Sequence, residues 1–182
     1  MNSKNIYKIA VFGSAKENLS KKIYKVSEEV GQEIAKSKNV LLTGAATGVS
    51  RYAAKGAKGG KGMVIGISPT SSNSERELYD ISFDDIDFLV HTGMGYKGRN
   101  VVSVRSCDGM IVINGNFGTL SEIAIGEGEN KPIVAIKGTG GCADAAKDIF
   151  NKLNPKYKYF STASNAKNAV NAIISMIKLV NQ

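Results

Sequence analysis

Glu122 closes the stretch "NGNFGTLSE", Asn114 to Glu122, which follows directly on the apolar run "GMIVI". Two glycines, a threonine and a glutamate at a strand-to-helix junction fit two readings. In the first, Thr119 caps the helix and Glu122, three residues on, completes a capping box of the T-x-x-E type. In the second, Gly115 and Gly118 let a phosphate approach the backbone at a helix N-terminus. There the N–H groups and the helix dipole attract an anion, and Glu122 is a carboxylate beside it. Arg99 lies fifteen positions before Asn114, at the start of the preceding helix. In a parallel sheet, equivalent positions of neighbouring βα units share one rim. Arg99 and Glu122 are therefore expected to face one cleft, a planar cation opposite a carboxylate.

The elements that must position this pair are legible as alternating apolar and amphipathic stretches. "YKIAVFGS" predicts a buried strand, and "LSKKIYKVSEEVGQEIAKS" then places Ile23, Val26, Val30 and Ile34 at helical spacing. "NVLLTG", "GMVIGISP", "DFLVHTG", "GMIVING" and "KPIVAIKG" predict further strands, with a short last one in "KYKYFS". Helices are expected over "VSRYAAKGAKGG", "RNVVSVRSC", "TLSEIAIGEGE", "CADAAKDIFNKL" and "NAKNAVNAIISMIKLV". The polar "TSSNSERELYD" predicts a loop near a ligand or a flap. This alternation implies an α/β fold: a doubly wound, mostly parallel sheet with helices on both faces, Rossmann-like, in a single domain over 1–182.

Ligands of such sheets bind at the carboxyl ends of the strands. Gly13, Ser14, Thr43, Gly44 and the run from Asn114 to Thr119 stand there, glycine beside Ser, Thr or Asn at nearly every strand end. The Gly138–Gly141 run fits either a ligand contact or a connecting loop. His91, inside an apolar strand, is expected to be a hydrogen-bonded structural residue, Cys107 a buried and inert thiol, and Arg105 with Asp108 a local ion pair.

Composition narrows the partners. The 182 residues carry a net charge of +8, which favours nucleotides, phosphorylated cofactors or nucleic acid. The excess is scattered lysine, as in "KKIYK" and "NPKYKY", and there is no tryptophan, so a solvated surface is favoured over a nucleic-acid face. No apolar run approaches the roughly 20 residues that span a bilayer, and no membrane partner is expected. Two cysteines without metal or redox spacing argue for a reducing, cytoplasmic setting. With His91 the single histidine, no metal site is expected. "FGSAKE" lacks the G-x-G-x-x-G fingerprint and the second strand ends in Thr43 rather than an acid, which argues against a classical NAD enzyme. "AKGGKGM" lacks the spacing of a Walker A loop.

"NGNFGTLSE" resembles the P-G-G-x-G-T-x-x-E signature of the LOG family, proteins once mislabelled lysine decarboxylases. Arg99 stands at the family's spacing upstream, and "GVSRYAAKGAKGGKGMVIGISP" is similar to its second helix and third strand. The likeness spans roughly Lys8 to Gly141 and is strongest with the branch that includes molybdenum-cofactor carrier proteins, where "TG-x-G", an Arg-Asn pair and "GTLSEI" occur together. The resemblance implies a homo-oligomer, a dimer or tetramer, that binds a nucleotide or phosphorylated pterin-type cofactor, with a nucleoside monophosphate or molybdenum cofactor as ligand. The alternative it implies is a nucleoside 5′-monophosphate phosphoribohydrolase. Carried over, Gly115, Gly118 and Thr119 bind phosphate, Arg99 orients the nucleotide, and Glu122 holds ribose hydroxyls or positions water. A carboxylate there stabilises an oxocarbenium-like transition state. Asn100 and Asn116 join Gly13, Ser14, Thr43 and Gly44 as ligand-binding positions. Asn114 stands for the family's proline, Asn116 for its second glycine and Asn100 for a lysine. These departures weigh toward binding and against catalysis. No feature points to a pyridoxal site.

Overall fold

Among the described residues seven short apolar runs become strands, because each can bury both of its faces or close an edge of one sheet. In the computed structural model, which describes residues 5–75 and 84–180, they are β1 (Lys8–Gly13), β2 (Val40–Thr43), β3 (Val64–Ser68), β4 (Phe88–His91), β5 (Gly109–Ile113), β6 (Ile133–Ile136) and β7 (Phe160–Ala163). All pairings are parallel, in the order β4-β3-β2-β1-β5-β6-β7. Side chains alternate across the sheet: Ile9, Val11, Ile111 and Ile113 enter one core, Ala10, Phe12, Met110 and Val112 the other. β5 and β6 are buried throughout, as parallel strands covered on both faces must be, whereas the edge strand β4 exposes Phe88 and Val90.

Among the described residues six helices cover the two faces: α1 (Lys21–Lys36), α2 (Val49–Gly59), α3 (Gly95–Ser106), α4 (Phe117–Gly128), α5 (Gly141–Leu153) and α6 (Ala166–Val180). The apolar stripe of α1 buries Ile23, Val30 and Ile34 and half-buries Val26. α2 and α6 close the same face through residues such as Ala53, Ala57, Ile173 and Ile177. Val104 of α3, Ile123 of α4 and Phe150 of α5 close the other.

α1 and α2 cross at two glycines. A Cβ on Gly31 would run into the carbonyl oxygen of Ala53, and one on Gly56 into that of Glu28. Alanine ordinarily gains about 1 kcal/mol over glycine inside a helix, but here the obstacle is backbone and cannot rotate away. Gly56→Ala is expected to lower stability in urea by about 1–3 kcal/mol, the usual cost of overpacking. Gly59→Ala, one turn further along α2 where a Cβ meets nothing within 4 Å, is expected to leave stability unchanged or slightly raised.

Two local expectations change. The last strand lies later than "KYKYFS", because Asn154 to Tyr157 form a turn after α5. Arg105 and Asp108 do not pair. The chain turns extended at Cys107, sending Arg105 to Glu129 (Nη2–Oε1 2.7 Å) and Asp108 to the start of β1, where it accepts the Lys8 N–H (2.7 Å) and meets the Lys8 ammonium (3.4 Å). Cys107 is buried, and burial pushes its thiol up to about 12.

Candidate functional site

The sheet order changes direction between β1 and β5. From β1 the chain adds β2, β3 and β4 outward, then α3 carries it back to β5 on the other side of β1. The two strand ends at that switch point diverge into loops, leaving the crevice where open α/β sheets bind ligands. It is a cleft of about 430 Å³.

One wall follows β1. Gly13 has no room for a side chain, since a Cβ would meet the Ile113 carbonyl oxygen of β5. Ser14 is buried, its Oγ accepting the Lys16 N–H at 3.3 Å and its carbonyl accepting the Val49 N–H at 2.9 Å, so the loop is tied to the start of α2.

The opposite wall follows β5. Asn114 (φ 55°) and Gly115 (φ 98°) turn the chain so tightly that Asn116 is already the extended N-cap and α4 starts at Phe117. Gly115 must lack a Cβ, which would strike the Thr119 side chain. The capping-box reading therefore fails: Thr119 is the third residue of the helix, and Asn116 makes no side-chain cap bond. The first N–H groups of α4, without intrahelical acceptors, are not capped by a side chain among the described residues. Above Gly118 a Cβ would meet nothing within 4 Å, and that space belongs to the cleft.

Glu122, freed from capping, faces Arg99. The first turn of α3 begins at Gly95, four residues ahead of the expected start at Arg99, and so directs Arg99 inward. Arg99 Nη1 lies 3.3 Å from Glu122 Oε1, and each residue is 6% exposed. The guanidinium rests on Gly44, where any Cβ would overlap Nη1. Its Nε is buried, with no hydrogen-bond partner among the described residues. Burial lowers the Arg99 pKa, opposed by the charge of Glu122, yet a guanidinium stays protonated in proteins. Burial pushes the Glu122 carboxyl up to about 7, with Arg99 pulling the other way. The pair is thus a fixed cation with an unused donor beside a carboxyl that changes charge near neutrality. Asn100, also buried, donates from Nδ2 to the Gly118 carbonyl at 3.3 Å and ties α3 to the first turn of α4.

The cleft brings together Gly13, Ser14, Arg99, Asn100, Asn116, Gly118, Thr119 and Glu122. Thr43, Gly44 and Gly115 stand behind its walls. Thr43 Oγ1 accepts the Ala45 N–H (3.2 Å), and Gly115 offers its carbonyl to the Cys142 N–H (2.9 Å). Of the Gly138–Gly141 run, Gly138 to Gly140 connect β6 to α5 and Gly141 begins the helix: Asp144 accepts the N–H groups of Gly138 (2.6 Å) and Gly140 (2.9 Å), and Asn114 Nδ2 donates to the Thr139 carbonyl (2.7 Å). Lys16, Ser50, Tyr96 and Lys97 line the cleft without having been expected there. The available signal for the last two was "TGMGYKG", whose Gly93 and Gly95 take positive φ and start the helix early. His91 is engaged by Thr70 Oγ1 at 2.8 Å and Asn73 Oδ1 at 3.0 Å, a structural arrangement. The expected flap "TSSNSERELYD" continues past Glu75, outside the described residues. Among the described residues no cluster of His, Cys, Asp and Glu is grouped to hold a metal, and no helix is long and apolar enough to cross a membrane.

The sequence profile of the SLOG cluster4 family matches residues 6–170, most of the chain. The chain belongs to the SLOG cluster4 family. This SLOG protein is 35% identical over 132 residues to an uncharacterised protein of Archaeoglobus fulgidus, a span covering 72% of this chain and 81% of that one. Among solved structures it is similar to the molybdenum cofactor binding protein of Rippkaea orientalis, with a TM-score of 0.80, 30% identity and coverage of 96% of this chain and 99% of the other. It is also similar to the molybdenum cofactor carrier protein of Chlamydomonas reinhardtii, with a TM-score of 0.78, 26% identity and the same coverage. The α/β fold and the likeness to LOG and carrier-type proteins thus agree with the sequence.

Proposed function

We propose that the cleft binds a small phosphorylated ligand, a nucleotide or a phosphorylated pterin-type cofactor, and that the protein acts as a carrier or sensor of it. The observation that carries this reading is the buried Arg99, whose Nε has no partner among the described residues, beside the N-terminus of α4, where Asn116 makes no side-chain cap bond. A buried donor without a partner costs free energy, and a phosphate oxygen would satisfy it in a charge-assisted bond. Helix N-terminal N–H groups recognise the same chemistry. Lys16 and Lys97 on the rim add positive charge. The similarity to a molybdenum cofactor binding protein supports a pterin-type cargo, and the residues present fit its phosphate end. Asn100 and Asn116, standing where LOG enzymes carry lysine and glycine, favour holding over cleaving. The protein is proposed to work as a cytoplasmic dimer or tetramer. An apolar groove between α4 and α5, lined by Leu120, Ile123 and the exposed Leu153, supports assembly.

A second reading rests on Glu122, a buried carboxyl in the same cleft as Arg99. As a phosphoribohydrolase, the protein would add water across the N-glycosidic bond of a nucleoside 5′-monophosphate, releasing the protonated base and ribose 5-phosphate. Glu122 would stabilise the positive charge that develops on the sugar.

Incubation with AMP, followed by chromatography for adenine and by thermal melting, separates the two. The carrier reading expects a raised melting temperature and intact AMP. Adenine release that disappears in Glu122→Gln would establish the hydrolase instead. If neither AMP nor molybdenum cofactor shifts melting, the binding reading fails.

A further inference from the structure

The geometry points to a cleft that takes up a proton together with its anion, with Glu122 as the proton's site. The inference rests on the reading that a phosphorylated ligand binds beside Arg99. Among the described residues Glu122 is paired with one cation, Arg99, at 3.3 Å, and little water reaches the pair, since each residue is 6% exposed. A phosphate seated on the free Nε of that same guanidinium acts on Glu122 in two ways. It divides the single counter-charge between two anions, and it places like charge next to a carboxylate that solvent cannot screen. Both effects disfavour the ionised carboxylate.

Other titratable groups surround the pair. α3 contributes Arg99 and Tyr96, the latter acting on Arg99, and α5 contributes Cys142, whose thiol is itself held protonated chiefly by burial and also by the Glu122 charge. Lys16 from the β1 loop and Lys97 from α3 line the same cleft. No salt bridge joins either lysine to Glu122 among the described residues. In the free protein the carboxyl already sits up at about 7, raised by burial, so little further stabilisation of the neutral acid is needed to hold the proton at physiological pH. Once protonated, Glu122 becomes a hydrogen-bond donor as well as an acceptor.

Linkage fixes the sign. Above about pH 7 the free protein carries mostly ionised Glu122, and the complex keeps Glu122 protonated up to its own, higher pKa. Binding then absorbs up to about one proton, and affinity falls by up to about tenfold per pH unit. A phosphomonoester titrates near pH 6, so AMP itself stays dianionic across this window.

Isothermal titration with AMP at pH 7, 8 and 9, in buffers of different ionisation enthalpy, reads both the affinity and the proton count. The expected result is proton uptake and an affinity falling with pH in wild type, with both lost in Glu122→Gln while AMP still binds. Circular dichroism confirms that the variant is folded. AMP binding that is independent of pH, or proton uptake that persists in Glu122→Gln, overturns the proton-coupling inference and leaves the cleft reading standing. Absence of saturable AMP binding at every pH removes this phosphate site and the coupling with it.

Discussion

Arg99→Ala is expected to weaken AMP binding by about 100-fold or more and to make the stability of the protein sharply dependent on pH. The first effect follows from removing a charge-assisted donor in a water-poor cleft, where truncating one partner of such a contact costs about 2–5 kcal/mol. The second follows from Glu122, which would lose its cationic partner while staying buried. In wild type, burial already holds the Glu122 carboxyl above its ordinary value of 4.5, at about 7. The native state therefore binds the proton more tightly than the unfolded chain. Stability is greatest below the unfolded pKa and declines as pH rises from about 4.5 toward 7. Without Arg99 the folded pKa moves higher and the decline continues above 7. Urea unfolding at pH 6 and pH 9 checks this. The variant should lie near wild type at pH 6 and fall below it by about 3 kcal/mol at pH 9, within the range for an uncompensated buried charge. Adding Glu122→Gln to Arg99→Ala should remove the part of the pH dependence that Glu122 supplies. A variant as stable as wild type at pH 9 would show that Glu122 reaches solvent.

Gly44→Val is expected to impair the same site without substituting a charged or hydrogen-bonding residue. Gly44 lies behind the cleft wall, and even a single Cβ there would overlap Arg99 Nη1. The branched side chain forces the guanidinium out of its seat and away from Glu122. Since recognition depends on placement, AMP affinity should fall by about 10- to 100-fold, comparable to losing a positioned polar contact of about 1.5–3 kcal/mol. Titration calorimetry at pH 7 reads the loss. The neighbouring Ala46→Ser, a small change at the cleft lining itself, should alter affinity far less. If Gly44→Val bound AMP as wild type does, the seat of Arg99 would not matter to the ligand.

These two residues also mark how far the sequence alone can reach. Arg99 and Glu122 were legible as sharing a rim, because strand periodicity fixes which residues follow each strand and parallel pairing fixes which strand ends are neighbours. The part played by Gly44 was not legible. It depends on the approach of a side chain from α3, far along the chain, onto the backbone after β2. Of the two readings of Thr119, the cap fails for a local reason. The T-x-x-E spacing is real, but the positive φ values of Asn114 and Gly115 complete the turn early and start the helix before Thr119. Arg105 and Asp108 misled similarly, since proximity in sequence says nothing of the partners Glu129 and Lys8 that the fold supplies. The fold class survived such local errors because it rests on many strand and helix periods at once.

The most direct test of the central claim is a crystal structure of the protein grown with AMP. The phosphate is predicted to lie within hydrogen-bond distance of the Arg99 guanidinium and of the first N–H groups of α4, over Gly118. AMP bound with its phosphate elsewhere, and Arg99 still paired only with Glu122, would contradict the account.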